Sequence, residues 1–253
     1  MQNLWNLEKY NEVSSTNDVA KERAFDTKEN LIIVADAQYM GRGRRGNKWV
    51  SQRGNLFFSQ IFSSKVTNSN LAFITSLSLV EAIKNISQIK NISLKWPNDV
   101  LINMKKVAGI LIEQADNGMV IIGIGINLLA HPNEQEISYP TTDLASNGVN
   151  ISREKLLSEY LSCFDKNYEL CLKDFDMVRK KWLKFASGLN QKIKVKRKDE
   201  IIDFNKKYNE IFNQVRALLP RSYFTLNDNN IFYLALSDGM GCGINANEES
   251  KFT

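Results

Sequence analysis

Apolar and polar positions alternate along the chain with two periods, and the change of period separates predicted strands from predicted helices. Short β-branched and aromatic runs predict strands at 5–13, 31–37, 55–62, 92–96 and 119–129, and a hairpin over 100–115 that turns near 103–105. Apolar residues at helical spacing predict helices at 19–25, 71–86, 151–173 and 174–186. The segment 131–150 holds two prolines and many polar residues, so we expect a loop there.

The bulk composition argues against several classes of protein. Among 253 residues, 33 basic and 28 acidic side chains give a net charge of +5, which suits an anionic ligand and does not by itself indicate nucleic acid. Three cysteines without a C-x-x-C pair argue against a disulfide framework and favour a reducing cytoplasm. The single histidine, His131, is expected to be a solvated loop residue, which argues against a Ser-His-Asp hydrolase and a zinc site. We expect neither a secretion signal nor a membrane span.

The segment Gly41–Gly46 (GRGRRG) is the strongest candidate for chemistry. Glycines let the backbone approach a ligand closely, backbone N–H groups in such a loop favour anions, and arginines add charge-assisted phosphate contacts. The alternatives are an arginine–glycine segment that binds RNA, or a solvated loop. Because one copy lies between two apolar strands and is followed by Lys48 and Trp49, we favour an ordered loop that clamps phosphate.

Three further segments carry weaker signals. Lys95–Asp99 (KWPND) ends a strand with side-chain oxygens suited to Mg²⁺ or an amine, although Pro-Asn-Asp is also a common turn composition. Lys105 and Lys106 lie at a predicted hairpin turn, where lysines are usually solvated. Gly109 in the following strand indicates that a ligand or another backbone segment passes close by. Gly123–Leu128 (GIGINL) lacks the third glycine and the helix of a dinucleotide-binding motif.

Taken together, these segments resemble the biotin–protein ligase family. The matching segments follow the family's order over roughly residues 10–190: Ser15-Thr16-Asn17, Ala37-Gln38 with GRGRRGNKW, KWPNDV, KVAGIL and GIGIN. Thr142-Asp143-Leu144 is a looser match in a polar loop. Several motifs in the family's order and spacing are far more specific than any one of them.

The resemblance implies an α+β fold, a mixed β-sheet flanked by helices like the class II synthetase-like catalytic domain of these ligases. It implies a catalytic domain at 1–187 and a small β-rich C-terminal domain at 188–253, where the family usually carries an SH3-like barrel. After about Phe204 the pattern departs from the family, with a helix-like stretch and then a hairpin pattern, so we expect a divergent tail. The fourteen residues before Ser15 are too few for the helix-turn-helix domain of some members, so we expect no operator binding.

The resemblance also implies roles for individual residues. Those expected to bind biotin are Ser15, Thr16, Asn17, Gln38, Arg42, Gly43, Arg44 and Lys106. Those expected to bind ATP or the adenylate are Arg44, Lys95, Trp96, Asn98 and Asn127. Catalysis is expected from Lys106 and Arg42, where Lys106 holds the biotin carboxylate and the α-phosphate together, and from Asp99, which orients or deprotonates the acceptor lysine. Mg²⁺ is expected near Asn98 or Asp99, with its ligand left open.

The implied reaction has two steps. Biotin and MgATP give biotinyl-5′-adenylate and pyrophosphate, and a lysine of the biotin carboxyl carrier protein domain of a carboxylase then displaces AMP. ATP is the co-substrate and Mg²⁺ the metal, and no tightly bound prosthetic group is expected. We expect a cytoplasmic monomer or homodimer without a DNA or membrane partner. The alternatives are a lipoate or octanoate ligase of the same fold, and a nucleic-acid-binding module that uses GRGRRG and the KVKRK stretch at 194–198.

Overall fold

A seven-stranded mixed sheet forms the centre of the computed structural model, which describes residues 5–27, 29–133, 137, 139–188, 194–197 and 200–203. The strands are β1 (Asn6–Val13), β2 (Leu31–Gln38), β3 (Leu56–Phe62), β4 (Ile92–Lys95), β5 (Asp99–Ile102), β6 (Lys105–Gln114) and β7 (Val120–Ile126). They lie in the order β1-β2-β3-β7-β6-β5-β4, with β1 parallel to β2 and all other neighbours antiparallel. Each strand overlaps a predicted strand or the predicted hairpin.

Four α-helices flank the sheet: α1 (Thr16–Asp26), α2 (Asn68–Ile86), α3 (Arg153–Lys173) and α4 (Phe175–Leu183). Each begins after a side chain that accepts an N–H of the first turn, namely Ser15, Thr67, Ser152 and Asp174. The predicted mixed sheet flanked by helices is therefore confirmed. In the part of the chain that the structure describes, no helix is long and apolar enough to cross a membrane.

One face of the sheet carries the main hydrophobic core. The alternation of side chains along β7 directs Ile122, Ile124 and Ile126 to this face, where they share one buried cluster with residues of α2, α3 and α4. The opposite face is covered at one end by α1, where Ala20 and Ala24 pack in a second cluster with residues of β2, β3 and β7. The two faces of the sheet are thus covered unequally.

Glycines mark the part of the opposite face that lies beyond α1. The same alternation in β7 places Gly123 and Gly125 there, and Gly109 of β6 pairs with Gly125. Because none of the three carries a side chain, other groups can lie directly on the backbone of the sheet. We call this surface of Gly109, Gly123 and Gly125 the glycine floor.

The chain divides into two compact units, Met1–Ser187 and Gly188–Thr253. In the second unit the described residues form an antiparallel pair of strands, β8 (Lys194–Arg197) and β9 (Glu200–Asp203). The stretches predicted after Phe204 lie outside the described residues.

Candidate active site

A group of buried, uncharged side chains gathers where the N-terminus of α1 meets the sheet. Ser15 caps the helix, because its Oγ accepts the N–H of Asn17 at 3.3 Å. Thr16 donates twice to Gln38 Oε1 at the end of β2, from its N at 2.8 Å and from its Oγ1 at 3.2 Å. Ser15, Thr16 and Asn17 are almost fully buried. The structure thus brings together four of the residues that the resemblance assigned to biotin.

Ser59 belongs to the same group, although the sequence interpretation did not include it. It lies on β3, and its Oγ donates to Asn17 Oδ1 at 2.6 Å and lies 2.8 Å from Thr16 Oγ1. Asn17 rests on the glycine floor, since a Cβ at Gly123 would lie 2.1 Å from Asn17 Oδ1. The available sequence signal was a serine inside the apolar run at 55–62 that predicts a strand. We call Ser15, Thr16, Asn17, Gln38 and Ser59 the uncharged cluster.

A second residue that the sequence interpretation missed, Glu113 on β6, borders this cluster. Its Oε2 accepts a hydrogen bond from Asn17 Nδ2 at 2.7 Å, and its Oε1 accepts one from Lys21 Nζ at 2.6 Å. Arg42 Nη2 lies 3.6 Å from Glu113 Oε2 and also forms an ion pair with Asp18 of α1. Burial acts to raise the pKa of Glu113, but the hydrogen bonds from Lys21 and Asn17 outweigh it and hold the pKa below its ordinary value.

The glycine–arginine loop predicted as a phosphate clamp is an ordered turn in the structure. Gly43 N donates to Asn47 O at 2.7 Å, and Trp49 N donates to Gly41 O at 2.9 Å, on either side of a 3₁₀ turn at Arg44–Gly46. A Cβ at Gly41 would lie 2.7 Å from Trp49 O, so this close approach requires glycine. The loop thereby places Arg42 at the border of the uncharged cluster.

Trp49, which follows the loop, lies on the glycine floor. A Cβ at Gly125 would lie 2.5 Å from Trp49 Cε2, and a Cβ at Gly109 would lie 2.8 Å from its Cζ3. Any larger residue at either position would displace the indole. The glycines of KVAGIL and GIGIN therefore create the space in which Trp49 packs.

Lys106 is enclosed beside Trp49. Its Nζ lies 2.7 Å from Asp99 Oδ1, 5.3 Å from the centre of the Trp49 ring and 5.1 Å from that of Tyr139. Only 13% of the Lys106 side chain is exposed, which is unusual for a lysine at a hairpin. A carboxylate and the faces of aromatic rings both stabilise an ammonium ion. The protein therefore stabilises the charge of Lys106 with its own groups, and water contributes little.

Three of the residues expected at the adenylate differ in their surroundings. Asn127, directly after β7, is buried and donates its Nδ2 to Thr142 O at 3.0 Å, while its Oδ1 has no partner in the described part of the chain. Asn98 donates its Nδ2 to Ile110 O at 3.2 Å. Lys95 is exposed at the end of β4. Asn127 thus offers an unused buried acceptor, and it lines a small pocket with Lys106.

Trp96, expected at the adenylate, is partly buried and packs against the main core. Its ring packs against Phe73, with ring centres 4.7 Å apart, and against Trp182, with ring centres 5.8 Å apart. These partners belong to α2 and α4. The Trp96 ring therefore packs with side chains of α2 and α4, and its role at the adenylate stays a prediction.

The expectation that His131 is merely solvated is wrong. Its Nδ1 lies 2.5 Å from Asp143 Oδ2, and 37% of its side chain is exposed. Asp143 is buried, although its segment was predicted as a polar loop, and it accepts hydrogen bonds from Ser146 N and Oγ at 2.6 and 3.0 Å. Burial acts to raise the pKa of Asp143, but the hydrogen bonds from Ser146 and His131 hold it below the ordinary value. The pair joins residues 131 and 143 of the loop.

The described residues do not fit a metal ion held by the protein alone. They contain no group of three or more His, Cys, Asp or Glu side chains that could hold one. Asp99, one of the two residues expected near Mg²⁺, has an oxygen 2.7 Å from the ammonium of Lys106. Magnesium bound with a nucleotide takes most of its ligands from phosphate and water.

Comparison with known sequences finds similarity to protein ligases. The biotin/lipoate A/B protein ligase family matches residues 10–127. The bifunctional ligase/repressor BirA of Bacillus subtilis (strain 168) is 35% identical over 196 residues, which cover 73% of this chain and 60% of that protein. The biotin–[acetyl-CoA-carboxylase] ligase of Paracoccus denitrificans is 31% identical over 192 residues, which cover 71% of this chain and 80% of that protein. The matched part thus spans less than two thirds of the Bacillus relative.

Solved structures share the fold. The biotin protein ligase from Aquifex aeolicus in complex with biotin and ATP has a TM-score of 0.70 and 33% identity, with 78% of this chain and 84% of that chain covered. The biotin protein ligase from Leishmania major in complex with biotinyl-5-AMP has a TM-score of 0.65 and 25% identity, with 77% and 86% covered. The similarity therefore extends well beyond the short motifs.

Proposed function

The chain belongs to the biotin protein ligases of the biotin/lipoate A/B protein ligase family, and from this we propose that it activates biotin with ATP and transfers it to a lysine of a biotin carrier domain. One observation carries the proposal: an uncharged hydrogen-bonding cluster around Asn17 and an enclosed cation, Lys106, border the same glycine floor. A ligand with a neutral polar ring at one end and a carboxylate at the other matches that pair of surroundings.

The uncharged cluster suits the ureido ring of biotin. That ring is neutral and has two N–H donors and one carbonyl acceptor, so hydroxyl and amide groups can satisfy it without the cost of burying a charge. The cluster supplies such groups from Ser15, Thr16, Asn17, Gln38 and Ser59. The dithiolane ring of lipoate has no N–H or carbonyl group to replace the hydrogen bonds of the cluster. This difference supports biotin over lipoate or octanoate.

The cation at the other end suits the first step. An oxygen of the biotin carboxylate attacks the α-phosphorus of ATP, the bond to pyrophosphate breaks, and biotinyl-5′-adenylate forms. Because two anions must approach each other, a positive charge held between them lowers the barrier. Lys106 takes this role when it exchanges Asp99 for the substrate oxygens, and the rings of Trp49 and Tyr139 keep its surroundings poor in water. Arg42 and Arg44 add positive charge from the loop.

The second step transfers the acyl group. The nitrogen of the acceptor lysine attacks the acyl carbon of the adenylate, the carbon–oxygen bond to AMP breaks, and the amine loses a proton. The ion pair of Asp99 with Lys106 supports a first role for Asp99 in holding Lys106. Once Lys106 has moved to the adenylate, the freed carboxylate can accept the proton of the amine. This sequence gives Asp99 two consecutive roles and needs no nucleophile on the enzyme.

Adenylate formation tests the proposal directly. The protein is incubated with labelled biotin and MgATP, and biotinyl-5′-adenylate and pyrophosphate are measured before any carrier domain is added. We expect Lys106→Ala to lower the rate by about 100-fold or more, the loss typical of one electrostatic group in a transition state. Lys105→Ala is the matched control, because Lys105 is the exposed neighbour and should leave the rate unchanged. A normal rate in Lys106→Ala would contradict the role of Lys106.

Substrate choice and transfer are tested separately. Biotin, lipoate and octanoate compete for adenylation, and then a biotin carrier domain is added to the wild-type protein. We expect biotin to be preferred and the label to appear on one carrier lysine. Absence of label on the carrier under all nucleotide conditions would refute the ligase assignment. A preference for lipoate would instead support a lipoate ligase of the same family.

A further inference from the structure

Glu113 touches both the uncharged cluster and the glycine–arginine loop. Only 12% of its side chain is exposed, and it lies on β6 between α1 and the glycine–arginine loop. One of its oxygens, Oε2, accepts the hydrogen bond of Asn17 Nδ2 and faces Arg42 Nη2 at 3.6 Å. The other, Oε1, accepts the hydrogen bond of Lys21 Nζ at 2.6 Å. A single carboxylate therefore links the uncharged cluster to the loop.

The carboxylate determines which way the Asn17 amide points. The two ends of a carboxamide are almost equal in shape, but one donates and the other accepts. An ionised carboxylate only accepts, so it requires Nδ2 on its own side and leaves Oδ1 towards Ser59. The amide lies directly on the backbone of Gly123, where a Cβ would come within 2.1 Å of Asn17 Oδ1. Because Asn17 lies in the uncharged cluster, Glu113 sets the pattern of donors and acceptors that a ligand ring meets there.

The same carboxylate balances the charge at the base of the loop. Lys21 and Arg42 are positive, and Glu113 and Asp18 are negative, so the group is neutral as a whole. Without the charge of Glu113, Lys21 loses its partner and Arg42 keeps only Asp18, so the group carries a net positive charge. Arg42 has the most exposed side chain of the four, at 39%, so the repulsion weakens the seating of Arg42 and of the loop that carries it.

We propose that Glu113 is a positioning residue that couples the orientation of Asn17 in the ring site to the seating of the glycine–arginine loop through Arg42. The coupling to the loop follows from the contacts alone, and the effect on ligand affinity rests on the proposed function, since it takes the ring to be that of biotin. Glu113 touches no reacting atom in this arrangement. Its loss therefore weakens the binding of biotin more than it slows chemistry on bound biotin.

The kinetic test compares Glu113→Gln and Glu113→Ala with the wild-type protein. Glutamine can still accept from Asn17 but lacks the charge, whereas alanine lacks both. Because a hydrogen bond to a charged group contributes enough for about a tenfold change, we expect the KM for biotin to rise about 10-fold in Glu113→Ala and less in Glu113→Gln. We expect kcat to fall by a smaller factor than the KM for biotin rises, because the contacts of Lys106 are untouched and only the added charge of Arg42 is displaced.

Glu81→Gln is the matched control. Glu81 also accepts a hydrogen bond from an asparagine, Asn167 Nδ2 at 2.7 Å, and pairs with a lysine, Lys181 Nζ at 2.7 Å, but it lies among α2, α3 and α4 on the other face. We expect this variant to lose a similar amount of thermal stability and to keep the wild-type KM for biotin. An equal rise in KM in Glu81→Gln would reduce the effect to general destabilisation and overturn the proposal.

Hydrogen exchange of the free protein measures the loop without reference to activity. We expect the amides of 41–49 to exchange faster in both Glu113 variants than in the wild type and in Glu81→Gln. Unchanged exchange in the loop, or an unchanged KM for biotin, would overturn the coupling. If the wild-type protein forms no biotinyl-adenylate, the proposed function fails, and the exchange of the loop still decides whether Glu113 seats it.

Discussion

A methyl group added at Gly123 tests how the uncharged cluster is built. The Cβ of Gly123→Ala would lie 2.1 Å from Asn17 Oδ1 and 2.9 Å from its Nδ2, whereas real Cβ atoms essentially never come within 3.0 Å of another group. Because β7 is paired with β3 on one side and β6 on the other, its backbone resists a shift. The amide of Asn17 must therefore turn away, and it then loses its bonds to Ser59 and Glu113.

The expected cost follows from those two bonds. A neutral hydrogen bond such as that from Ser59 contributes about 1 kcal/mol, and one to a charged partner such as Glu113 contributes about 1.5–3 kcal/mol. Replacing glycine by alanine in a strand returns about 0.5–1 kcal/mol through the unfolded chain. The net expectation is a loss of about 2–3 kcal/mol in the free energy of unfolding.

A double-mutant cycle measured by urea unfolding isolates this mechanism. In an Asn17→Ala background the methyl group at residue 123 meets no amide, so Gly123→Ala should cost less than about 1 kcal/mol there. The coupling between the two substitutions should be about 2 kcal/mol. If Gly123→Ala costs the same in both backgrounds, the contact between Asn17 and the glycine floor is not the cause, and the reasoning is refuted.

Two further predictions concern the Trp49 ring and the loop at 131–143. In Gly125→Ala the new Cβ would lie 2.5 Å from Trp49 Cε2, and overpacking of about 1–3 kcal/mol should lower Tm by about 3–10 °C. In a Trp49→Ala background the same substitution should lower Tm much less. An equal drop in Tm in both backgrounds would contradict the contact between Gly125 and Trp49. Because the pKa of Asp143 is lowered in the folded protein, its ionised form stabilises the protein above the pKa of the unfolded chain, and this stabilisation is lost as the pH falls through the folded pKa. Asp143→Asn should therefore lower the free energy of unfolding by about 1–3 kcal/mol at pH 7. The difference from the wild type should shrink below about pH 4, where Asp143 becomes protonated. A constant difference down to about pH 3 would contradict this prediction.

The order of the sequence motifs was sufficient to predict many residues of the site. Ser15, Thr16, Asn17 and Gln38 were predicted to act together, and the structure joins them by hydrogen bonds. Lys106 was predicted to carry the key positive charge, and the structure encloses it. These residues belong to segments with a recognisable spacing, so a linear reading is sufficient to find them.

Residues outside those motifs were missed or misjudged for a common reason. Ser59 and Glu113 lie in strands whose apolar pattern predicts burial but does not show which residues they contact. Glu113 contacts Asn17, which is 96 positions away in the chain. His131 was judged by its polar neighbours, while Asp143 lies twelve positions away. In each case the missing information was the identity of a partner distant in sequence.

The sequence by itself determined the helices, the strands and the face on which each strand residue lies, because the periods of 3.6 and 2 are local properties of the backbone. It also determined the family, since the motifs keep their order along the chain. Only the tertiary structure decided that β7 lies between β3 and β6, and that α1 and Trp49 both lie on the glycines of these strands. Strand order depends on the packing of side chains from many segments at once, so no local pattern contains it. The link from Glu113 to Asn17 and Arg42 exists only because that packing brings the three together.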